Sequence, residues 1–260
     1  MLKKGAPSGA PHIHFQNIIH THTGRGGATY PKLLIKHMSY CPCYWDIVTD
    51  MEARAIWKKL IIDNKRISTS EEIRELARKL DKDQWRSLKY LQSQGYIIRI
   101  LRGVFYVLSP KEREIGGVDP SIYDLVGMAL DVKDVKRWFF GLESALKLNN
   151  MTHEFFNIEY VITDSFRTTK VIKIMDTNFK FIKRNEKYFK FGIVISGNYR
   201  YSDPEKTVLD MAYERYLESK EPSYIIEPIE EYHNMIDIKK IRSYIDNYSH
   251  NFKGFVEGSI

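Results

Sequence analysis

The sequence has almost no cysteine and no long apolar run, and each lack excludes a class of protein. Only Cys41 and Cys43 occur among 260 residues, and two cysteines so close together cannot form a disulfide framework. No run of about 18 apolar residues occurs, so we expect no membrane-spanning helix. The first residues, MLKKG, lead into Pro, Gly and His rather than into an apolar segment, so we expect no signal peptide. These features predict a cytoplasmic protein.

Catalytic motifs are also lacking. The sequence contains no glycine-rich phosphate loop, no G-x-S-x-G and no His/Cys cluster with metal-ligand spacing. We therefore expect no metal, no cofactor and no enzymatic activity. The alternative is a Mg²⁺-dependent nuclease that uses Asp203, Glu205 and Lys206, because two carboxylates and a lysine could bind Mg²⁺ and a phosphoryl group. A helix start explains the same residues, with Ser202 or Asp203 as cap, Pro204 in the first position and Glu205 in a capping box with Ser202.

The first 44 residues differ in composition from the rest of the chain. They hold five of the eight histidines and five of the fifteen glycines, and no Asp or Glu occurs before Asp46. They lack a helical or strand period, so we expect a disordered segment. A mis-assigned translation start is a second interpretation, with Met38 or Met51 as the true first residue.

The most regular stretch, Ser68–Leu108, predicts two short helices followed by a β-hairpin. The apolar residues of the first helix recur at the spacing of one buried face, and a hydroxyl in Ser68–Ser70 can cap its start. Asp81 is predicted to cap the second helix. Two β-rich runs, Tyr96–Ile100 and Val104–Leu108, flank a turn with a glycine. With a supporting helix that begins near residue 51, this order predicts a winged helix-turn-helix domain over residues 45–110.

Charge and shape together predict that this domain binds double-stranded DNA. Between Met51 and Leu108 there are 13 Lys and Arg against 7 Asp and Glu, whereas the chain after Leu108 has 22 against 24. The apolar side of the second helix is predicted at Trp85, Leu88 and Leu91, which leaves polar residues for the major groove. The residues predicted to contact DNA are Lys82, Gln84, Arg86 and Lys89 on the helix and Arg99 and Arg102 on the hairpin. The alternative is a winged helix that contacts only proteins.

A second domain is predicted over residues 118–250, after a breaker-rich connection at 109–120. Helices are predicted at Ser121–Leu130 and Val135–Asn149, and β-rich runs follow at 158–163, 169–175, 179–183 and 188–195. Strands in sequence between helices predict an α+β domain with an antiparallel sheet. Residues 251–260 are predicted to be a tail.

An ordered set of motifs resembles the AbiE-type antitoxins, which are transcriptional regulators of bacterial and archaeal toxin–antitoxin systems. The set is RGVFYV, GLESALKLNN, YVITDSFRTTK, FKFIK and YSDPEKTVLDMAY, and the resemblance covers about residues 51–248. It implies that the winged helix represses its own operon by binding the operator upstream. It also implies that the second domain neutralises a toxin with a nucleotidyltransferase fold.

The second domain is polarised in charge. Residues 165–190 carry eight Lys and Arg against two acids, whereas residues 203–246 carry eleven acids against six bases. Such polarity can steer a partner toward the domain. The residues predicted to bind the toxin are Arg167, Lys170, Lys183, Arg184 and Lys187. Two alternatives remain: these cations are the solvated face of a half-buried sheet, or they extend the DNA contact.

Overall fold

The computed structural model describes residues 42–259, with side chains from Asp50 onward. The prediction for residues 1–44 therefore lies outside the described residues, apart from 42–44, which begin the first helix. From Trp45 onward the chain forms one compact unit. The unit is an α+β fold with two sheets, one of them mixed.

The N-terminal elements follow the order helix, strand, helix, helix and hairpin. They are α1 (Pro42–Ile62), β1 (Ile67–Thr69), α2 (Ser70–Lys79), α3 (Gln84–Ser93), β2 (Ile97–Leu101) and β3 (Val104–Val107). Both predicted helices and the predicted hairpin are confirmed. Thr69 caps α2, because its hydroxyl accepts from the Glu72 N–H while the Glu72 carboxylate accepts from the Thr69 N–H. The three strands form an antiparallel sheet in the order β1-β3-β2.

The remaining elements build the second part of the fold. Its helices are α4 (Pro110–Ile115), α5 (Ile122–Val132), α6 (Glu143–Leu148), α7 (Pro204–Leu217), α8 (Pro222–Glu231), α9 (Ile238–Tyr244) and α10 (His250–Glu257). Its strands are β4 (Trp138–Gly141), β5 (Glu159–Thr163), β6 (Ile172–Ile174), β7 (Thr177–Lys183), β8 (Ile193–Ser196) and β9 (Tyr199–Ser202). The six strands form one sheet in the order β6-β7-β5-β4-β9-β8.

The predicted antiparallel sheet is wrong, because this sheet is mixed. Strand β5 pairs with β7 in parallel, and β4 pairs with β9 in parallel. The reason is that the hairpins β6–β7 and β8–β9 each join the sheet through their second strand. Burial decides this choice for the first hairpin, since β7 carries the buried Phe179 and Phe181 whereas β6 contributes only Ile174 to the core. Turn signals predict a hairpin but do not reveal which of its strands joins the sheet.

Two strands of this sheet differ from the prediction. The central strand β4 falls inside the helix predicted at Val135–Asn149, and β9 was not predicted. All four residues of β4, Trp138–Gly141, are buried. A strand buried on both faces has no alternating pattern, so a short apolar run fits a helix as well as a strand. The predicted run 188–195 is also wrong in its first half, where Glu186–Phe189 forms a 3₁₀ turn.

Three apolar clusters divide the fold into layers. The first joins α1, α2 and α3 to one face of the three-stranded sheet. The second fills the space between the other face of that sheet, helix α5 and one face of the six-stranded sheet. The third lies between the opposite face of the six-stranded sheet and helices α6 to α10. The small sheet is therefore buried on both faces, and the N-terminal elements share a core with the rest of the chain.

Two predicted irregular segments are helical. The predicted connection at 109–120 contains α4, which Ser109 caps and which Gly116 ends with a φ of 74°. The predicted tail 251–260 is mostly α10, which buries Phe252 and Val256 in the third cluster. The predicted connection is therefore irregular only over 116–120, and the predicted tail is wrong. Both helices escape prediction for the same reason. Each helix is shorter than nine residues, so its apolar period is too short to stand out in the sequence.

Candidate nucleic-acid interface

Helix α3 presents a stripe of basic, polar and aromatic side chains to solvent. Its start is capped by Asp83, whose Oδ1 accepts from the Arg86 N–H at 2.7 Å. Ser87 and Leu91 are buried and fix the inner face of the helix. The exposed residues follow the i, i+1, i+4, i+7, i+8 spacing of one helical face, and we call them the α3 stripe: Trp85, Arg86, Lys89, Gln92 and Ser93. The stripe contains no carboxylate, so it can approach phosphates without charge repulsion.

Two details of α3 differ from the prediction. Asp83, not Asp81, is the cap, and Asp81 lies in the preceding turn with a φ of 56°. Trp85 was predicted to be buried, yet 69% of its surface is exposed. The residue sits one position too late in the helix to reach the apolar side that Leu88 and Leu91 share, because Gln84, four residues before Leu88 and seven before Leu91, lies on that side. Its ring is instead covered by Arg74 of α2, whose Cζ lies 4.6 Å from the ring centroid.

The four helix residues predicted to contact DNA do not share one face. Arg86 and Lys89 belong to the α3 stripe. Lys82 precedes the helix and forms an ion pair with Glu52 Oε1 at 3.4 Å. Gln84 is the first residue of the helix and is half-buried. The prediction did not include Gln92, although its spacing of three from Lys89 and seven from Trp85 places it on the same helical face.

Both predicted hairpin residues are exposed. Arg99 pairs with Phe105 across the strands, and Phe105 packs in the cluster formed with α1, α2 and α3. Arg99 is therefore on the sheet face that carries the helices. Arg102 lies in the turn between β2 and β3, which Gly103 closes with a φ of 76°. The Gly103 carbonyl accepts from the Ser70 N–H at 2.9 Å, so the turn is fixed to the start of α2.

A cleft of about 780 Å³ lies beside this turn, and we call it the hairpin cleft. One wall is formed by the turn and the start of α2, and the other by the end of α5 and the loop after β5. Its charged lining residues are Glu71, Arg102, Lys133 and Asp134. Glu71 pairs with Arg74 at 3.2 Å, and Asp134 pairs with Lys136. Arg102 and Lys133 form no ion pair with a described residue.

The buried Glu112 connects the N-terminal elements to the segment around α4. Its side chain is 1% exposed, and its Oε1 accepts from the Tyr106 hydroxyl at 2.5 Å and the Asp119 N–H at 2.9 Å. Its Oε2 accepts from Arg66 at 2.6 Å and the Ser109 N–H at 2.7 Å. Burial alone would raise the pKa of this carboxyl, but the hydrogen bonds lower the pKa to about 2. The ionised form is therefore the stable one in the folded protein.

The residues predicted to bind a toxin fall into two groups. Arg184 pairs with Glu214, and Lys187 lies 5.0 Å from the ring centroid of Tyr188 and donates to the Tyr248 carbonyl at 3.5 Å. Arg167, Lys170 and Lys183 are exposed. A cleft of about 380 Å³, which we call the basic cleft, is lined by Arg167, Thr168, Thr169, Lys180, Phe181, Ile182, Lys183, Arg184 and Glu214.

Both carboxylates of the candidate nuclease site accept hydrogen bonds from other groups of the protein. Asp203 caps α7, with its Oδ1 accepting from the Lys206 N–H at 2.9 Å and its Oδ2 accepting from the Tyr244 hydroxyl at 2.8 Å. Glu205 Oε1 accepts from the Asp237 N–H at 2.9 Å, and Oε2 accepts from Lys240 at 2.7 Å. The predicted cap and the position of Pro204 are confirmed. The predicted capping box is wrong, because Glu205 turns toward the start of α9 rather than back to Ser202.

Lys206 is enclosed in the third cluster. Its side chain has no exposed surface, and its Nζ lies 3.1 Å from Asp210 Oδ2 and 4.1 Å from the ring centroid of Phe191. Burial lowers the pKa of this lysine below its usual range. Because it has no path to solvent, Lys206 cannot reach a phosphoryl group.

Within residues 50–259, no three His, Cys, Asp or Glu side chains are placed to bind a metal ion together. Over the same part of the chain, no helix is both long and apolar enough to cross a bilayer.

Comparison with known proteins gives a likeness of fold. No protein-family model and no curated protein matches the chain. Among solved structures, the RV2827C protein from Mycobacterium tuberculosis aligns with a TM-score of 0.51 and 10% sequence identity. The alignment covers 76% of this chain and 72% of that protein. At this identity the likeness concerns the α+β fold alone.

Proposed function

We propose that residues 45–110 are a winged helix-turn-helix and that the chain is a DNA-binding transcriptional regulator. The α3 stripe is the observation that carries the proposal. The stripe is exposed and contains no carboxylate. The helix that carries it has the width that the major groove admits. The order of α1, β1, α2, α3 and the β2–β3 hairpin supports it as well, since it is the order of elements in that motif.

In this proposal α3 enters the major groove, where Arg86 and Gln92 can donate to base edges and Lys89 can contact bases or phosphate. Arg99 and Arg102 contact phosphate or the neighbouring minor groove. Lys82 and Gln84 then support the helix start instead of reading bases, because one is ion-paired and the other half-buried. A base-reading contact is worth about 1–3 kcal/mol of discrimination, whereas a phosphate contact affects all sequences alike.

The resemblance to AbiE-type antitoxins extends the proposal to a second role. The chain would repress its own operon in the cytoplasm and neutralise a nucleotidyltransferase-type toxin through the part that follows α4. The ordered motifs support this role, and several of them coincide with structural positions. GLESAL spans the end of β4 and the start of α6, and YSDPEK spans the end of β9 and the capped start of α7. The proposal includes no catalysis, because Asp203 and Glu205 both hold structural hydrogen bonds and Lys206 is buried.

A gel-shift titration on the DNA upstream of the gene tests the first role. Arg86→Ala should lower affinity for that DNA and relax its preference over an arbitrary duplex, whereas Arg102→Ala should lower affinity for both. Lys58→Ala, which removes an exposed charge on α1, is the control. Equal affinity of wild type, Arg86→Ala and Arg102→Ala would contradict the proposal.

Co-expression with the neighbouring reading frame tests the second role. The expected result is that the full chain restores growth when that frame encodes a toxin with a nucleotidyltransferase signature. A Mg²⁺-dependent cleavage assay with Glu205→Gln as the control addresses the nuclease alternative. Cleavage by the wild type that the variant abolishes without a change in melting temperature would favour the enzyme.

A further inference from the structure

We infer that the DNA contact continues past the hairpin onto the second part of the fold, where the hairpin cleft and the basic cleft bind the phosphate backbone. The inference rests on the proposed DNA-binding function and adds a specific surface to it. The residues that carry it are Arg102, Lys133, Arg167 and Lys183. We call these four cations the phosphate track.

The two clefts are joined by one ordered loop. Ser165 and Phe166 line the hairpin cleft, and the next residues, Arg167 and Thr168, line the basic cleft. The loop is fixed to strand β7 because the Thr168 N–H donates to the Phe181 carbonyl and the Phe181 N–H donates to the Thr168 hydroxyl, each at 3.0 Å. The Phe166 ring also stacks on the Phe181 ring, with centroids 5.0 Å apart. The loop therefore holds the two clefts, and the backbone of the cations that line them, in a fixed relative position.

Along this surface the basic side chains outnumber the acidic ones, which favours the binding of phosphate. The side chains of the four track residues form no ion pair and no hydrogen bond with another residue in the described range. The carboxylates that line the two clefts each have a basic partner: Glu71 with Arg74, Asp134 with Lys136, and Glu214 with Arg184. An extended anion that meets this surface would find cations without competition from nearby acids.

The lining of the basic cleft favours phosphate over a protein partner. Thr168 and Thr169 stand beside the cations of the basic cleft, and hydroxyls with Lys and Arg are the usual donors to phosphate oxygens. The core of a protein interface instead favours aromatic anchors and is depleted in lysine. The track also begins at Arg102, in the turn that the proposed function places against the DNA backbone. Continuity with that contact is the argument for DNA as the occupant.

The test measures the salt dependence of binding to a duplex of about 40 base pairs from the upstream DNA. Each phosphate contact contributes roughly 0.9 to the slope of log K against log salt. Arg167→Gln/Lys183→Gln should therefore reduce the slope by about 2 and leave the preference for upstream over arbitrary DNA unchanged. Lys133→Gln should reduce it by about 1. The matched control is Lys111→Gln/Lys239→Gln, which removes two exposed charges elsewhere.

A slope for Arg167→Gln/Lys183→Gln equal to that of the matched control would overturn the inference. If this variant keeps the slope but no longer co-purifies with the protein from the neighbouring frame, the inference is also wrong, because the basic cleft would then bind that protein. In either case Arg86→Ala would still weaken binding if the proposed function is right. Absence of any DNA binding by the wild type would instead defeat the proposed function. All substituted residues are exposed, and a melting curve for each variant checks that the fold is retained.

Discussion

Replacement of Glu112 by Gln should destabilise the protein strongly at neutral pH and much less in acid. The carboxylate accepts four hydrogen bonds, two on each oxygen. Gln retains one acceptor oxygen, so two of the donors would face an amide N–H₂ group that cannot accept. Loss of part of a buried, charged network costs about 2–4 kcal/mol. Glu114→Gln, an exposed change in the same helix, is the matched control and should cost less than about 0.5 kcal/mol.

The pH dependence follows from the lowered pKa. The folded value of about 2 lies below the ordinary value of 4.5, so the unfolded chain binds the proton more tightly. The stabilisation, about 3 kcal/mol at 1.4 kcal/mol per tenfold change in proton affinity, is complete above about pH 5.5 and is lost as the pH falls toward 2. At pH 3 about 2 kcal/mol of it is already lost.

Urea unfolding of wild type, Glu112→Gln and Glu114→Gln at pH 7 and pH 3 measures both effects. The difference in unfolding free energy between wild type and Glu112→Gln should shrink by about 2 kcal/mol on acidification. An equal difference at the two pH values, or a Glu112→Gln variant as stable as Glu114→Gln at pH 7, would refute the assignment of a buried, ionised carboxylate.

Four further predictions concern stability and binding. Asp203→Ala should cost about 2 kcal/mol in urea unfolding, the upper end for a helix cap, because Tyr244 also loses its acceptor and Lys240 loses one of its two carboxylate partners. Replacement of the exposed cap Asp237 by Ala should cost about 0.5–1 kcal/mol. Gly127→Ala should lower the melting temperature by several degrees, since its Cβ would lie 2.0 Å from the Asn198 carbonyl oxygen, whereas Gly117→Ala meets open space. Trp85→Ala should leave the melting temperature nearly unchanged but weaken upstream-DNA binding roughly fivefold, about 1 kcal/mol; equal binding would remove Trp85 from the interface. Calorimetry should show one transition with a van't Hoff enthalpy equal to the calorimetric one, and two resolved transitions would contradict the shared core.

Local signals in the sequence were reliable where a short motif determines the structure by itself. One example is the helix cap at Asp203, which Pro204 follows in the first helical position. Another is the hairpin around Gly103. Both depend on the backbone preferences of a few neighbouring residues. The capping box Ser109–Glu112 has the same kind of signal, S-x-x-E. The presence of Pro110 favours a linker at this position, and the box therefore does not enter the prediction. Pro in the first position of a helix is compatible with that helix, so the box was readable in principle.

Long-range choices were not predictable in this way. The mixed sheet depends on which strand of each hairpin joins it, and the exposure of Trp85 depends on which face of α3 packs against the core. The candidate interface was therefore half predicted: Arg86 and Lys89 lie on the exposed face, while Lys82 and Gln84 do not. The exposure of Gln92 follows from the helix phase once Leu91 and Ser87 are known to be buried.

The shared core changes how the two proposed roles can be separated by experiment. A cut after Leu108 would remove Tyr106 from Glu112 and would expose Ile100 and Val104, which pack with Leu125 and Ala129 of α5 in the second cluster. Neither fragment would keep its buried surface, so failure of a fragment to bind DNA or to protect cells could reflect misfolding alone. Exposed point variants avoid this difficulty, because the α3 stripe and the phosphate track lie outside the shared core. Comparison of DNA binding and growth rescue across the same variants is therefore the way to assign each role to its surface.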